Sequence, residues 1–245
     1  MADTRTKVWN VERGGVKFES TAEIVDDIAV KNLLETAGRS DLKVIGASVV
    51  PGVTAVINET FREIGAKEPV WIDGTTPLGL TIKYTTPESL GADRVANVLG
   101  AMKIGQPSIV VDFGTATKLE AIDREGVYRG GSILPGVRMG LDSLRTGTAQ
   151  LPRLDPVWEQ SSIGHDTASS IQTGTVIGHA HAVAGLIRDY LELLGPSKII
   201  FTGGDREVFI VNQKVGPFRG LDIQQEPRLT LIGLQVAAVL LGLTS

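Results

Sequence analysis

Val110-Val111-Asp112-Phe113-Gly114-Thr115-Ala116-Thr117 decides how this chain is read. An apolar run ends in an Asp and opens into a tight turn lined with hydroxyls. Gly114 lets backbone N–H groups come close to phosphate oxygens. Thr115 and Thr117 add hydroxyl donors, and Asp112 can face a metal ion or its waters. The same eight residues also suit a plain turn between two strands, so the neighbouring segments have to choose between the two readings.

Downstream, Lys118 to Asp123 reads as a strand, Arg124-Glu125-Gly126 as a turn, and Val127-Tyr128 as the next strand. Gly130-Gly131-Ser132-Ile133-Leu134-Pro135-Gly136 reads as a second glycine-rich loop before a helix. A helix from about Ala168 to Leu194 follows. Lys198 to Phe201 forms a strand running into Thr202-Gly203-Gly204, and Leu229 to Leu243 a final helix with Thr230 as its N-cap.

Upstream, Lys7-Val8-Trp9-Asn10-Val11 and Gly14-Gly15-Val16-Lys17-Phe18 read as a hairpin, and Val25 to Ala37 as a helix. Leu42 to Val50 reads as a buried strand stopping at Pro51-Gly52. Thr54 to Gly65 is an amphipathic helix, Pro69 to Ile72 a short strand, and Lys83 to Leu90 a polar loop. Gly91 to Met102 is a helix with Val95, Val98, Leu99 and Met102 on one face. Strand and helix alternate, which predicts an α/β architecture. Gly105-Gln106-Pro107 interrupts the pattern, and the residues after it restart with strand, turn and strand. This divides the chain into halves of residues 1–106 and 107–245.

Composition narrows the chemistry. The 245 residues are 42% hydrophobic and 21% charged, enough for a proper core. The formal net charge of −4 argues against a nucleic-acid or anionic-membrane partner. With no cysteine, thiolate catalysis and cysteine-ligated metals are excluded. His179 and His181 lie two apart in a helical pattern and do not share a face, which leaves little for a histidine metal site. The N-terminus lacks an apolar signal region, and the stretch from Leu229 to Leu243 is shorter than a membrane span. The expectation is a soluble, cytoplasmic protein.

Two further segments offer chemistry. Gly91-Ala92-Asp93-Arg94 opens a helix; Asp93 can take a proton from a substrate hydroxyl and Arg94 can bind a carboxylate or phosphate. The same pair also suits a helix cap with a solvent salt bridge. Thr202-Gly203-Gly204 after an apolar strand can bring backbone against a planar ligand such as adenine, or can be a simple turn. Neither Gly-x-x-x-x-Gly-Lys-Ser/Thr nor Gly-x-Gly-x-x-Gly is present, so a P-loop or Rossmann site is not supported.

From about Val44 to the C-terminus the chain resembles the type III pantothenate kinases, of the acetate and sugar kinase/Hsp70/actin superfamily. The resemblance is carried by Ser48-Val49-Val50-Pro51, Tyr84 seven residues before Gly91-Ala92-Asp93-Arg94, Asn97, and Asp112-Phe113-Gly114-Thr115-Ala116-Thr117. It continues through Gly130-Gly131, Pro135-Gly136, Leu151-Pro152, Ile163-Gly164, Thr167, Gly174, Gly178, Thr202-Gly203-Gly204 and Leu229-Thr230 with Gly233-Leu234.

The resemblance implies two RNase H-like halves with mixed sheets flanked by helices and a ligand cleft between them. It implies phosphorylation of pantothenate by ATP, the first step of coenzyme A synthesis, in a homodimer, with Mg²⁺ and a monovalent cation (K⁺ or NH₄⁺). Asp93 would be the general base. Tyr84, Gly91, Ala92 and Arg94 would line the pantothenate pocket, with Thr167 reaching in from the partner subunit. Asp112 would bind the monovalent cation. Thr115, Gly203 and Gly204 would touch ATP, as would the segment Asp3-Thr4-Arg5-Thr6-Lys7.

The chain also departs from the pattern. The family's opening strand ending Asp-x-Gly-Asn-Thr is represented only by its end, with Ala2 for the Gly and Asp3 for the Asn. Lys118 stands for a Thr, Glu120 for an Asp, and Ile232 for a Glu. A misassigned start or a real loss would each account for the first of these. The alternative to a kinase is therefore a catalytically silent homologue that binds a ligand or regulates.

Overall fold

A computed structural model of the protein describes residues 7–12, 15–21, 43–63, 65–148, 151–212, 214 and 216–243. Strands β1 (Lys7–Glu12) and β2 (Gly15–Thr21) form the antiparallel hairpin that the glycine turn predicts. The helix expected over Val25 to Ala37 lies outside the described residues. Next come β3 (Ile45–Gly46), helix α1 (Pro51–Glu63) and β4 (Val70–Trp71), with β3 and β4 parallel.

The strand expected from Leu42 to Val50 is thus far shorter. The Ser48 hydroxyl turns the chain early, accepting from the Val50 N–H at 3.3 Å and from the Thr54 hydroxyl at 2.7 Å. Pro51 then opens α1 rather than ending a strand, because its fixed φ and missing N–H suit a first helical position.

Helix α2 (Ala92–Ile104) leads into the central sheet of β5 (Ser108–Phe113), β6 (Ala116–Ile122), β7 (Tyr128–Pro135), β8 (Lys198–Thr202) and β9 (Ile223–Gln225). Its order is β7-β6-β5-β8-β9, antiparallel on one side of β5 and parallel on the other. Helix α3 is Val137–Gly147 and α4 is Thr167–Gln172; α4 continues through a π-helical turn at Thr173–Ile177 into α5 (Gly178–Leu194). Helices α6 (Arg206–Ile210) and α7 (Leu229–Leu240) complete the chain. The class is α/β as expected, with a mixed sheet flanked by helices.

Of the residues read as a glycine-rich loop, Gly130 to Gly136, those up to Pro135 belong to the strand Tyr128–Pro135 paired with β6, and Gly136 is the N-cap of α3. Glycine marks a loop in sequence, but here it permits close approach of two backbones within a sheet.

The sheet is apolar on both sides because it is covered on both. On one face Ile109, Val111, Phe113, Leu119, Ile199 and Phe201 pack against Ala180, Val183 and Ile187 of α5 and Phe209 of α6. On the other, Val110, Ile122, Tyr128 and Ile200 pack against Val95, Val98 and Leu99 of α2 and Leu229 and Ala237 of α7. Helices α2 and α7 meet at backbone distance: a Cβ on Gly233 would lie 1.7 Å from the Ala96 carbonyl oxygen. Among the described residues no helix is long and apolar enough to cross a membrane.

Candidate active site

Strands β5 and β8 run parallel and end side by side, with Asp112 opposite Thr202. Carboxyl ends of neighbouring parallel strands are where α/β sheets bind ligands. Three glycine-bearing turns are tied together there. Gly203 adopts φ +90°, and a Cβ on it would fall 2.5 Å from the Phe113 backbone. Only glycine combines that conformation with that approach. The Asp205 N–H donates to the Phe113 carbonyl at 2.9 Å, and the Gly136 N–H to the Thr115 carbonyl at 3.0 Å. Arg138, at the start of α3, joins Asp205 at 2.8 Å and Asp155 at 2.7 Å. Thr115 and Gly204 are exposed at this junction, while Gly203 is buried.

The charged groups lie on the α2 side of the sheet. In the antiparallel β5–β6 ladder Asp112 pairs with Lys118 and Val110 with Glu120. Alternation along β6 turns Lys118 and Glu120 to one face. Helix α2 presents its first turn to that face, with Gly91 as N-cap and Asp93 and Arg94 following.

Lys118 Nζ donates to Asp93 Oδ2 at 2.6 Å and lies 3.5 Å from Asp112 Oδ2. Its side chain is 18% exposed, and those of Asp93 and Asp112 are 27% and 14% exposed, so the cluster is sheltered yet reachable. Burial works against the lysine's charge, but Asp112 and Asp93 together raise its pKa above the ordinary value. Asp93 Oδ1 also accepts from the Arg94 N–H at 2.8 Å, which fixes the carboxylate on the helix N-terminus. One turn further, Asn97 donates to Asp112 Oδ2 at 3.3 Å and accepts from the Thr230 hydroxyl at 2.7 Å. Thr230, expected as a helix N-cap, is instead an internal α7 residue that makes no cap; Arg228 takes that position.

Arg94 is only 5% exposed. It forks onto Glu120, Nε to Oε1 at 2.7 Å and Nη2 to Oε2 at 2.9 Å, and Nη2 also reaches the Tyr128 hydroxyl at 2.7 Å. The Tyr128 hydroxyl donates to Glu120 Oε2 at 2.7 Å. Burial opposes the arginine's charge, and Glu120 more than offsets it, so its pKa rises. Burial also pushes the Tyr128 hydroxyl up, which keeps it a donor. The salt bridge of Arg94 is therefore buried, not a solvent pair with a neighbour on its own helix. What Arg94 has left for a ligand is Nη1, 3.5 Å from the Tyr84 hydroxyl, with the guanidinium 5.6 Å from the centre of the Tyr84 ring. Tyr84 is delivered by backbone bonds that lay Thr81 and Lys83 on Tyr128.

The structure thus brings Tyr84, Gly91, Ala92, Asp93, Arg94 and Asp112 together on one side of the sheet. Thr167 lies apart from them, exposed at the start of α4. It lines an open groove of about 670 Å³ with Gly140, Leu144, Leu151, Ser170, Ile171, Gly174 and Thr175. Asp3, Thr4, Arg5 and Thr6 fall outside the described residues; Lys7 opens β1. In the sequence Lys118 and Glu120 stand out only as departures from the family pattern, and Tyr128 only as a strand residue. The offset of two between 118 and 120, matching Asp112 and Val110 across a short hairpin, was the available signal.

On the opposite face Thr117 Oγ1 and His179 Nε2 lie 2.9 Å apart, and the imidazole packs near Phe209 at 5.6 Å between ring centroids. Burial lowers the His179 pKa below its ordinary value. The unfolded chain then takes up a proton before the folded chain does, so stability is full above the unfolded pKa and falls as pH drops towards the folded one. Thermal midpoints should fall from pH 7 towards 5, and His179→Gln should flatten that slope; an unchanged slope would remove His179 as its source.

The family described as Type III pantothenate kinase matches residues 4–189. A Type III pantothenate kinase of Thermomicrobium roseum is 37% identical over 210 residues, covering 84% of this chain and 79% of its own. One of Kosmotoga olearia is 35% identical over 236 residues, covering 94% and 86%. Among solved structures, one described as a Baf family transcriptional activator from Campylobacter jejuni matches at 20% identity with a TM-score of 0.54, covering 84% of this chain and 87% of its own; it supports the fold. The chain belongs to the type III pantothenate kinase family.

Proposed function

We propose that this protein transfers the γ-phosphoryl group of ATP to the primary hydroxyl of pantothenate, giving 4'-phosphopantothenate and ADP, the first step of coenzyme A synthesis in the cytoplasm. The observation that carries this reading is the Asp93 carboxylate. It is partly exposed on a helix N-terminus and set beside a fixed ammonium group, at the edge of three joined glycine turns. Asp93 Oδ2 takes the hydroxyl proton as the hydroxyl oxygen bonds to the γ-phosphorus. The bond from that phosphorus to the bridging oxygen breaks, and ADP departs with the electron pair. Such a transfer needs positioning and charge neutralisation more than a nucleophilic side chain.

In this reading residues 1–106 carry the pantothenate-site helix and a remnant phosphate loop, and 107–245 the main phosphate loop and the adenosine loop. Gly91 and Ala92 shape the wall beside Asp93. Arg94 Nη1 and the Tyr84 hydroxyl face the pantothenate carboxylate. Thr167 and its groove serve a second copy of the chain, whose acceptor site Thr167 completes. Thr115, Gly203 and Gly204 meet ATP, together with the segment from Asp3 to Lys7.

Among the described residues no three His, Cys, Asp or Glu side chains gather to hold a metal ion. Mg²⁺ accordingly enters with the ATP phosphates, as it commonly does. Lys118 and Asn97 both address Asp112 Oδ2, so a monovalent cation on that oxygen would have to displace the Lys118 ammonium group or sit beside it. The catalytically silent alternative draws on no observation among the described residues.

Mass-spectrometric analysis of the purified chain with pantothenate, ATP and Mg²⁺ tests the reading. Phosphopantothenate and ADP should form in equal amounts. ADP without phosphopantothenate, or faster turnover of a different alcohol, would contradict it.

A further inference from the structure

We infer that the Lys118 ammonium group permanently holds the cation position between Asp93 and Asp112, so that this chain works without a dissociable monovalent cation. The inference rests on the phosphoryl-transfer reading above. Its geometric basis is independent of that reading: Nζ lies 2.6 Å from Asp93 Oδ2 and 3.5 Å from Asp112 Oδ2, bridging carboxylates from two different elements.

Lys118 is held there by its place in the fold. Its backbone pairs directly with Asp112 in the β5–β6 ladder, so its side chain must rise on the carboxylate side of the sheet. Two donors already meet the Asp112 oxygen that faces Lys118. Asn97 presents its amide nitrogen to Asp112 Oδ2, as an acceptor-only carboxylate requires, and its oxygen accepts from Thr230. Asp112 Oδ2 thus meets an ammonium group and an amide N–H. A potassium ion needs oxygen ligands, and it would sit beside a like charge in a sheltered site where repulsion is poorly screened. Glu120, the nearest further carboxylate on β6, is committed to Arg94 and Tyr128.

A tethered cation changes behaviour in a definable way. Its occupancy does not depend on salt concentration, because attachment to the chain replaces binding from solution. It supplies fixed positive charge next to the transferring group, where preorganised charge is most effective. Asp93 Oδ2 keeps this contact while it accepts the substrate hydroxyl, since a carboxylate oxygen can accept two hydrogen bonds.

The full chain is compared in potassium chloride and choline chloride at matched ionic strength, reading thermal midpoint, ATP affinity and turnover of pantothenate. All three should be the same in both salts. In Lys118→Thr, a replacement that suits a strand and opens the site, turnover in choline should fall about a hundredfold and potassium should restore most of it. A potassium-dependent rise in midpoint, ATP affinity or turnover of the parent chain would overturn the inference. So would a folded Lys118→Thr variant as indifferent to potassium as its parent. If Lys118→Thr does not fold, the parent's salt comparison decides alone. If the parent turns over no pantothenate in either salt, the activity reading fails, and midpoint and ATP affinity still judge the cation position.

Discussion

Asp93→Asn lowers the rate of pantothenate phosphorylation by a factor of about 10² to 10⁴, the usual contribution of a positioned general base. The amide keeps the shape of the carboxylate and can still accept from the Arg94 N–H, so the helix start stays intact. Lys118 keeps Asp112 as a partner, and the charged cluster is weakened but not dismantled. The capacity to take a proton is lost, together with one of the two carboxylate partners of Lys118. The effect therefore belongs in kcat, with pantothenate affinity close to that of the parent by calorimetry. A variant with near-parental turnover would remove Asp93 from the chemistry, and one that loses pantothenate binding altogether would make it a binding residue instead.

The second large effect is on stability. Glu120 is completely buried and Arg94 nearly so, and the two are joined by a bidentate pair with Tyr128 completing the set. Glu120→Gln leaves a buried guanidinium without its countercharge and should cost about 3–5 kcal/mol. At this chain length each kcal/mol is worth about 2–4 °C in thermal midpoint. The double replacement Arg94→Met with Glu120→Leu removes both charges and should be less damaging than the single change, because no ion is left unpaired. Urea unfolding of Arg94→Met, of Glu120→Leu and of the double measures the coupling between them. Additive losses would mean that the pair contributes nothing beyond the two residues separately. The same comparison bears on function, since the fork onto Glu120 aims Arg94 Nη1 at Tyr84.

What sequence could and could not say about this molecule follows from where the information lies. The run from Val110 to Thr117 is legible because a central strand buried on both faces has to be apolar throughout, and because Asp then Gly marks its end. The helix opening at Gly91-Ala92-Asp93-Arg94 and the turn at Gly203-Gly204 are legible for the same local reasons.

The partners of these residues are not local. Lys118 reaches Asp93 and Asp112 only through the register of β5 on β6 and the docking of α2 above them. Arg94 finds Glu120, 26 positions away, and Asn97 finds Thr230, 133 positions away. Thr230 looks like a cap because hydroxyl residues favour helix starts, but a buried amide across the helix pair takes its hydrogen bond. Gly130-Gly131 looks like a loop for the corresponding reason, yet pairing with β6 overrides the local preference. In both cases tertiary context outweighs a weak intrinsic signal.

In the proposed mechanism phosphoryl transfer occurs over Asp93, beside Lys118 and the joined glycine turns. A crystal structure of the protein with pantothenate and a non-hydrolysable ATP analogue tests it most directly. The primary hydroxyl of pantothenate should lie about 3 Å from Asp93 Oδ2, within hydrogen-bond reach of the base, with the γ-phosphate over the turn at Gly114 and Thr115. A hydroxyl held away from Asp93, with the analogue's phosphates elsewhere, would contradict it.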